Sequence, residues 1–247
     1  MENKMIDFLK DLVEHTHSLG VIDLVKITSD KSVTTIDGMA ENRTVIVQGE
    51  TKNPVKEVTG TFGMPNLSKL KTILGFDDYD DKAIINVTRD TRDGESVPTA
   101  IHFETSTGDF VNDYRLMSQG IVEEKVKAVK FAGATWNVEF APQVANIQRM
   151  KRQATANNEE TTFVTKTEKG DLKVYFGDVS SHSGNFIFEP AVQGTLSKGW
   201  AWPVKQFLSI MDLQGDKKVY ISDQGAMKIT VDSGIAEYEY LLPAQQR

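Results

Sequence analysis

The two halves of this chain repeat one pattern, and an internal duplication restricts the fold more than any single motif can. In the first half, Met64-Pro65-Asn66-Leu67-Ser68-Lys69-Leu70-Lys71-Thr72-Ile73-Leu74 has the spacing of a short amphipathic helix. Pro65 suits a first helical turn, where its missing N–H is no loss. An acidic turn follows, Asp77-Asp78-Tyr79-Asp80-Asp81, and then a strand from Lys82 to Val87. The second half keeps that order: a Pro-started helix from Trp202 to Met211, the turn Gln214-Gly215-Asp216, and a strand from Lys217 to Ser222. Each half then closes with a hairpin, Ala100 to Glu104 returning through Tyr114 to Leu116, and Met227 to Val231 returning through Tyr240 to Leu242. The spacing from Gly108 to Tyr114 and Leu116 equals that from Gly234 to Tyr240 and Leu242, and both turns carry the small and polar residues hairpins need.

Each half also opens with a helix. Asn3 to Ser18 places Ile6, Leu9, Leu12 and Val13 on one face, and Ala141-Pro142-Gln143-Val144 starts the counterpart, with Val144, Ile147 and Met150 about one turn apart. Alternating segments follow, among them Val21 to Ile27, Thr44 to Val47, Thr161 to Thr165 and Leu172 to Phe176. The expected fold class is α+β: two domains, each with two helices on one face of an antiparallel sheet. The expected division is 1–120 and 134–247, with 121–133 as the connector.

The length of 247 residues suits two such domains, and 39 % hydrophobic with 26 % charged residues is a globular balance. With no cysteine, neither disulfides nor thiolate metal sites are expected, which suits a reducing cytoplasm. The start of the chain reads as no signal peptide, and no stretch approaches the roughly 18 apolar residues that cross a bilayer. The formal charge of −7 sets the whole molecule against nucleic acid, so any DNA contact must come from a local basic surface.

This order of elements resembles the DNA sliding-clamp family, which includes proliferating cell nuclear antigen and the trimeric clamps of tailed phages. Asn66 to Leu74 is similar to the second helix of a clamp domain, Phe110-Val111-Asn112-Asp113-Tyr114-Arg115-Leu116-Met117 to the strand that ends domain one, and Tyr240-Leu241-Leu242-Pro243-Ala244 to the clamp C-terminus. The chain enters its first helix almost at once, as phage-type clamps do, and Arg89 to Ser96 is a polar insertion in the first hairpin. The resemblance implies a homotrimer with pseudo-six-fold symmetry, sheet edges pairing between subunits. It implies a non-enzymatic processivity factor in DNA replication, with no cofactor and no metal. It would encircle double-stranded DNA without reading sequence, tether a replicative polymerase, and be opened by a clamp-loader ATPase. It also implies no membrane association and a cytoplasmic location, the host cytoplasm if the chain is phage-encoded.

A ring that slides needs electrostatic contacts blind to sequence. The DNA-facing set is Arg149, Lys151 and Arg152, with Lys69 and Lys71, Lys205, and Lys4 and Lys10 on helix one. Spacing alone reads these as solvated helix faces; the resemblance turns Arg149, Lys151 and Arg152 toward DNA. Helix one is divided, because Asp7, Asp11 and Glu14 share its polar side. By the same resemblance a groove for partner peptides draws on Met39, Val126, Val129, Tyr240, Leu242 and Pro243, while Met39 and Leu242 also suit a plain core.

Other signals are set aside. His15 and His17 fall on different helix faces, and Asp77 to Asp81 lacks the glycine and closing glutamate of an EF-hand loop. Asp90 and Asp93 are equally weak as ligands. Trp200 and Trp202 flank a helix start as packing anchors, Ser180, Ser181 and His182 have no acid in fixed spacing, and no Gly-rich phosphate loop occurs. The rival is a β-rich structural assembly protein, such as a virion component, with no DNA role; gathered basic residues on one helix favour the clamp.

Overall fold

A computed structural model describes residues 4–80, 82–92, 94–127, 133–178, 180 and 182–245. The chain divides into two compact units, Met1–Val129 with Ser233–Tyr238, and Lys130–Asp232 with Glu239–Arg247.

In the first unit, helix α1 (Lys4–His15) leads into β1 (Leu24–Ser29), β2 (Thr34–Met39), β3 (Ile46–Thr51) and β4 (Gly60–Pro65). Helix α2 (Leu67–Leu74), a meander of β5 (Ile84–Arg92), β6 (Glu95–Glu104) and β7 (Val111–Arg115), and helix α3 (Gln119–Lys125) complete it. The second unit runs β8 (Val138–Phe140), α4 (Val144–Ala156), β9 (Thr162–Glu168), β10 (Asp171–Phe176), β11 (Gly184–Glu189), β12 (Trp200–Pro203), α5 (Val204–Met211), β13 (Asp216–Ser222), β14 (Ala226–Asp232) and β15 (Ala236–Pro243). The start of β15, up to Tyr238, belongs to the first unit.

The duplication is structural. Strands β4-β1-β2-β3 lie side by side in that order, and β12-β9-β10-β11 repeat it; β5-β6-β7 form an antiparallel meander, and β13-β14-β15 form its counterpart. Even single bonds recur. The first helical N–H of α2, at Leu67, reaches Asp23 O just before β1, and that of α5, at Val204, reaches Thr161 O just before β9. Strand β8 sits on the β13 edge and has no counterpart among the described residues of the first unit. The fold is α+β, its helices laid on antiparallel sheets, as the hydrophobic periods require.

Those periods place the core. Along α1 the residues Met5, Phe8, Leu9, Leu12 and Val13 are buried, while Asp7, Lys10 and Glu14 are exposed. Each buried aliphatic or aromatic side chain of this size contributes about 1.5–3 kcal/mol over its exposed state. Strands β2, β10 and β14 bury every second residue, the mark of a sheet with one face inward. In the second unit Phe163, Phe188 and Phe207 meet edge-on around α5, with Phe163 and Phe207 centroids 4.9 Å apart.

Of the three prolines expected at helix starts, Pro203 borders its helix directly as the N-cap of α5, while Pro65 and Pro142 each stand one residue ahead of the cap. Pro65 closes β4 opposite Leu24, Pro203 closes β12 opposite Thr162, and Pro142 stands ahead of Gln143, the N-cap of α4. A residue without an N–H ends a ladder as readily as it begins a helix, so each proline marks the boundary from the strand or loop side. The cap of α2 is Asn66, in left-handed conformation (φ 57°), whose side chain accepts the Lys69 N–H at 3.3 Å. The polar insertion from Arg89 to Ser96 simply lengthens the β5–β6 hairpin, and Arg89 ties it down by donating to the carbonyls of Glu57 and Thr59. Helix α3, in the expected connector, was not anticipated. It lies close on β4 because Gly63 has no Cβ; one built there would come within 2.7 Å of Val122 Cγ2.

Candidate functional site

Three helices differ in charge from the rest of the molecule. Helix α4 carries Arg149, Lys151 and Arg152 and no carboxylate; α2 carries Lys69 and Lys71, and α5 carries Lys205, again without a carboxylate. Arg149, Arg152, Lys69, Lys71 and Lys205 are all exposed. Packing explains their direction, since Met150 on α4, Leu70 and Ile73 on α2, and Phe207 and Ile210 on α5 turn the opposite faces into the core. Arg152 donates from Nε to Gln148 O at 3.3 Å, which steadies its stem along the helix.

Two members of the expected basic set behave differently. Lys151 is half-buried and ion-paired with Asp212, the residue that caps the C-terminus of α5. Lys10 is exposed but lies one helical turn from Asp7 and from Glu14, both exposed as well. The side chain of Lys4 falls outside the described residues. Sequence reading named Lys151 as a cation but missed Asp212 as its partner. The available signal was the carboxylate directly after the last turn of α5.

The residues expected to hold a partner peptide are scattered by burial. Met39 ends β2 half-buried, Val126 is buried behind α3, and Val129 lies outside the described residues. Tyr240 and Leu242 are wholly buried in β15, so their side chains belong to the core of the second unit, and of this C-terminal group Pro243 is the one that presents surface.

Among the described residues no group of three His, Cys, Asp or Glu could hold a metal ion. His15 is buried, pairs with Asp11 and stacks on Tyr238, whereas His17 reaches Asp23 at 3.5 Å. Asp80 caps its own turn by accepting the Lys82 N–H, Ser180 bonds to Asp178, and Ser181 and Asp93 fall outside the described residues. Trp202 is fully buried and donates from Nε1 to Thr165 Oγ1 at 2.8 Å; Trp200 donates to Asp223. Both act as packing anchors. A polar cluster that sequence reading missed stands on β6 and β7: His102 lies between Glu104 and Asp113.

Two successive copies of one α+β unit, each laying a pair of matched helices (α1 and α2, α4 and α5) on antiparallel sheets with the same strand order, define the sliding-clamp fold. No family model and no curated protein matches the sequence. Solved structures do match over 98 % of this chain. One is the PCNA of A. fulgidus bound to the C-terminal region of FEN-1, with a TM-score of 0.68, 10 % identity and 96 % of that chain covered. Another is PCNA from Thermococcus kodakaraensis, with a TM-score of 0.63, 10 % identity and 96 % of that chain covered. The chain therefore has a PCNA-like sliding-clamp fold.

Proposed function

We propose that this chain is the subunit of a homotrimeric ring that encircles duplex DNA and tethers a replicative polymerase, without enzymatic activity of its own. The observation that carries the reading is the sorting of charge. In a chain of net charge −7, three of the five α-helices among the described residues, α2, α4 and α5, expose cations and contain no carboxylate. A sliding ring needs such a surface, because phosphate contacts hold any sequence equally.

The duplication supports closure into a ring. In the first unit β3 has the start of β15 beside it, with the Lys52 N–H donating to Ile235 O at 2.9 Å. Strand β11 is the counterpart of β3, and β7 that of β15; each of them ends its sheet among the described residues. Pairing β11 of one copy with β7 of the next would repeat between chains the arrangement already built within one. It would also cover the exposed apolar side chains of Phe110, Val111 and Ile187. Arg149, Lys151, Arg152, Lys69, Lys71, Lys205, Lys4 and Lys10 would then be the DNA-facing candidates.

By the resemblance, the candidate contacts for peptide tails of the polymerase and of a clamp-loader ATPase would be Met39, Val126 and Val129, and Tyr240, Leu242 and Pro243. The support is the A. fulgidus PCNA, solved with the C-terminal region of FEN-1 bound. The test is light scattering over a dilution series beside primer extension on a circular template with cognate polymerase and loader. A mass near three times 27.5 kDa and longer products support the ring. A monomer or open polymer with unchanged products overturns it in favour of a structural assembly protein.

A further inference from the structure

We propose that the outer edge of β5, over residues 84–88, docks one extended segment of a partner protein. The segment adds to the sheet as an antiparallel fourth strand, with apolar residues at two alternate positions. The site lies wholly within the first unit. It is independent of the ring reading, because β5 stands on the far side of β6 from β7, the edge assigned to ring closure.

The second unit shows what belongs on this edge. Counted back from the matched Gly108 and Gly234 turns, Ile101 and Phe103 of β6 correspond to Met227 and Ile229 of β14. Ile85 and Val87 of β5 stand opposite Phe103 and Ile101, as Val219 and Ile221 of β13 stand opposite Ile229 and Met227. In the second unit β8 takes the next place: Phe140 pairs with Val219, Glu139 with Tyr220 and Val138 with Ile221. Val219 and Ile221 are there 0 % exposed, and Val138 is buried with them. In the first unit no strand takes that place among the described residues. Ile85 and Val87 stay half-buried, although Phe103 and Ile101 beside them are buried completely. The core row of the meander is thus closed at β6 and open at β5.

The edge itself is unguarded. Proteins blunt an open sheet edge with charge, proline, a bulge or a cover. Residues 84–88, Ile-Ile-Asn-Val-Thr, carry no charge and no proline, are rich in β-branched side chains and keep an unbroken register with β6. The register shifts only after Thr88, and the charges begin at Arg89 and Asp90. A strand laid here gains main-chain hydrogen bonds from the outward amides and carbonyls of β5. Two apolar side chains placed as Val138 and Phe140 are on β13 would close the row over Ile85 and Val87. The residue between them would face Asn86, which is exposed and uncharged, so a polar side chain suits that position as Glu139 does in β8. A lone strand also fits better than a second copy of the chain. Helix α1 and the turn Lys56–Val58 already touch β5, and a second copy would bring its own helix and turn against them.

The probe is a fluorescent synthetic peptide of residues 134–141, which carries Val138, Glu139 and Phe140, added to the whole 247-residue chain. Anisotropy measures its binding, and hydrogen exchange follows the β5 amides. In the protein alone the outward amides of residues 84–88 should exchange fast, and saturating peptide should slow them about tenfold or more. The same peptide with Val138→Ser and Phe140→Ser should bind at least about tenfold more weakly, having lost both apolar anchors. The protein variant Val87→Lys, first shown to melt as the parent does, should lose the peptide, because an inward charge on an edge opposes pairing. Outward amides already protected without peptide overturn the proposal: the chain covers its own edge or, where protection grows with protein concentration, a second copy does. Fast amides that the peptide leaves unchanged overturn it as well, and so does a substituted peptide that binds as tightly as the parent peptide. The exchange measurement uses the parent protein, so the decision does not depend on a variant folding.

Discussion

His102 should make the β6–β7 pair pH-dependent. It stands on β6 directly opposite Asp113 of β7. Its Nδ1 lies 2.9 Å from Asp113 Oδ1, and its Nε2 lies 3.0 Å from Glu104 Oε2. A neutral imidazole has one N–H and can donate to only one of them; the imidazolium satisfies both. The hydrogen bond to Glu104, and next the one to Asp113, raise its pKa above the ordinary 6.5. Across β5 the facing residue is Asn86, which carries no charge. Because the folded value exceeds the unfolded one, the stabilisation is complete below about pH 6.5 and is lost as pH rises through the folded pKa. The Asp113 side chain is 51 % exposed and that of Glu104 33 %, so solvent screens both pairs and the total comes to about 0.5 kcal/mol. For a chain of this size that corresponds to roughly 1–2 °C in Tm. An NMR titration of the His102 ring proton, with melts from about pH 6 to about pH 9 for the parent and His102→Gln, tests both parts. The parent should lose this increment over that range and the variant should not. A ring titrating at or below 6.5, or a variant that follows the parent's pH curve, refutes the reasoning.

Three further outcomes are expected. Trp202→Phe keeps the ring in the core but leaves the buried Thr165 hydroxyl without its donor, a loss of about 1–3 kcal/mol in urea unfolding, most of it absent when Thr165→Val is already present. Asn66→Ala removes the cap of α2 and with it the short polar side chain that makes asparagine tolerant of a left-handed backbone at φ 57°, for a loss of about 2 kcal/mol, whereas Asn66→Gly should cost less than half of that because glycine adopts the conformation freely. Gly63→Val drives a side chain into Val122 and Met117 and should destabilise by about 1–3 kcal/mol, with faster hydrogen exchange at the Val122 and Val126 amides that bond within α3.

Much of the architecture was legible because it is periodic. The stripe of Leu9, Leu12 and Val13, the alternation along β10 and the matched Gly108 and Gly234 turns each follow from one repeating geometry, and the structure keeps all three. What escaped was set by contacts distant in sequence. Pro65 and Pro203 fit a helix start as well as a strand end, and only their partners Leu24 and Thr162 decide between them. Helix α3 packs closely on β4 because Gly63 leaves room for Val122, a contact between residues distant in sequence, and Ser118 at its N-cap is its one local signal. Resemblance alone assigns Tyr240 and Leu242 to a surface groove, whereas the alternation along β15 already places them with Ala236 and Tyr238 on the buried face; Leu241, buried as well, is the residue that departs from it. The counter-charge of Lys151 likewise comes from Asp212, on another helix.

An identity of 10 % beside a TM-score of 0.68 shows which positions the fold governs and which it leaves free. Packing demands that Met150 and Asn146 of α4 be buried, and strand pairing demands alternation; neither constrains what stands at Arg149 or Arg152. A solvated helix face in a chain with 35 acidic and 28 basic residues would be expected to mix both signs, as α1 does. Helix α4 mixes none, and α2 and α5 follow it. Where folding is indifferent, a consistent bias of charge on three separate helices calls for a cause outside the fold, and the proposed function would supply one in an anionic polymer. Net charge does not decide between partners here: −7 describes the whole surface, while a partner within a Debye length of one face senses that face alone.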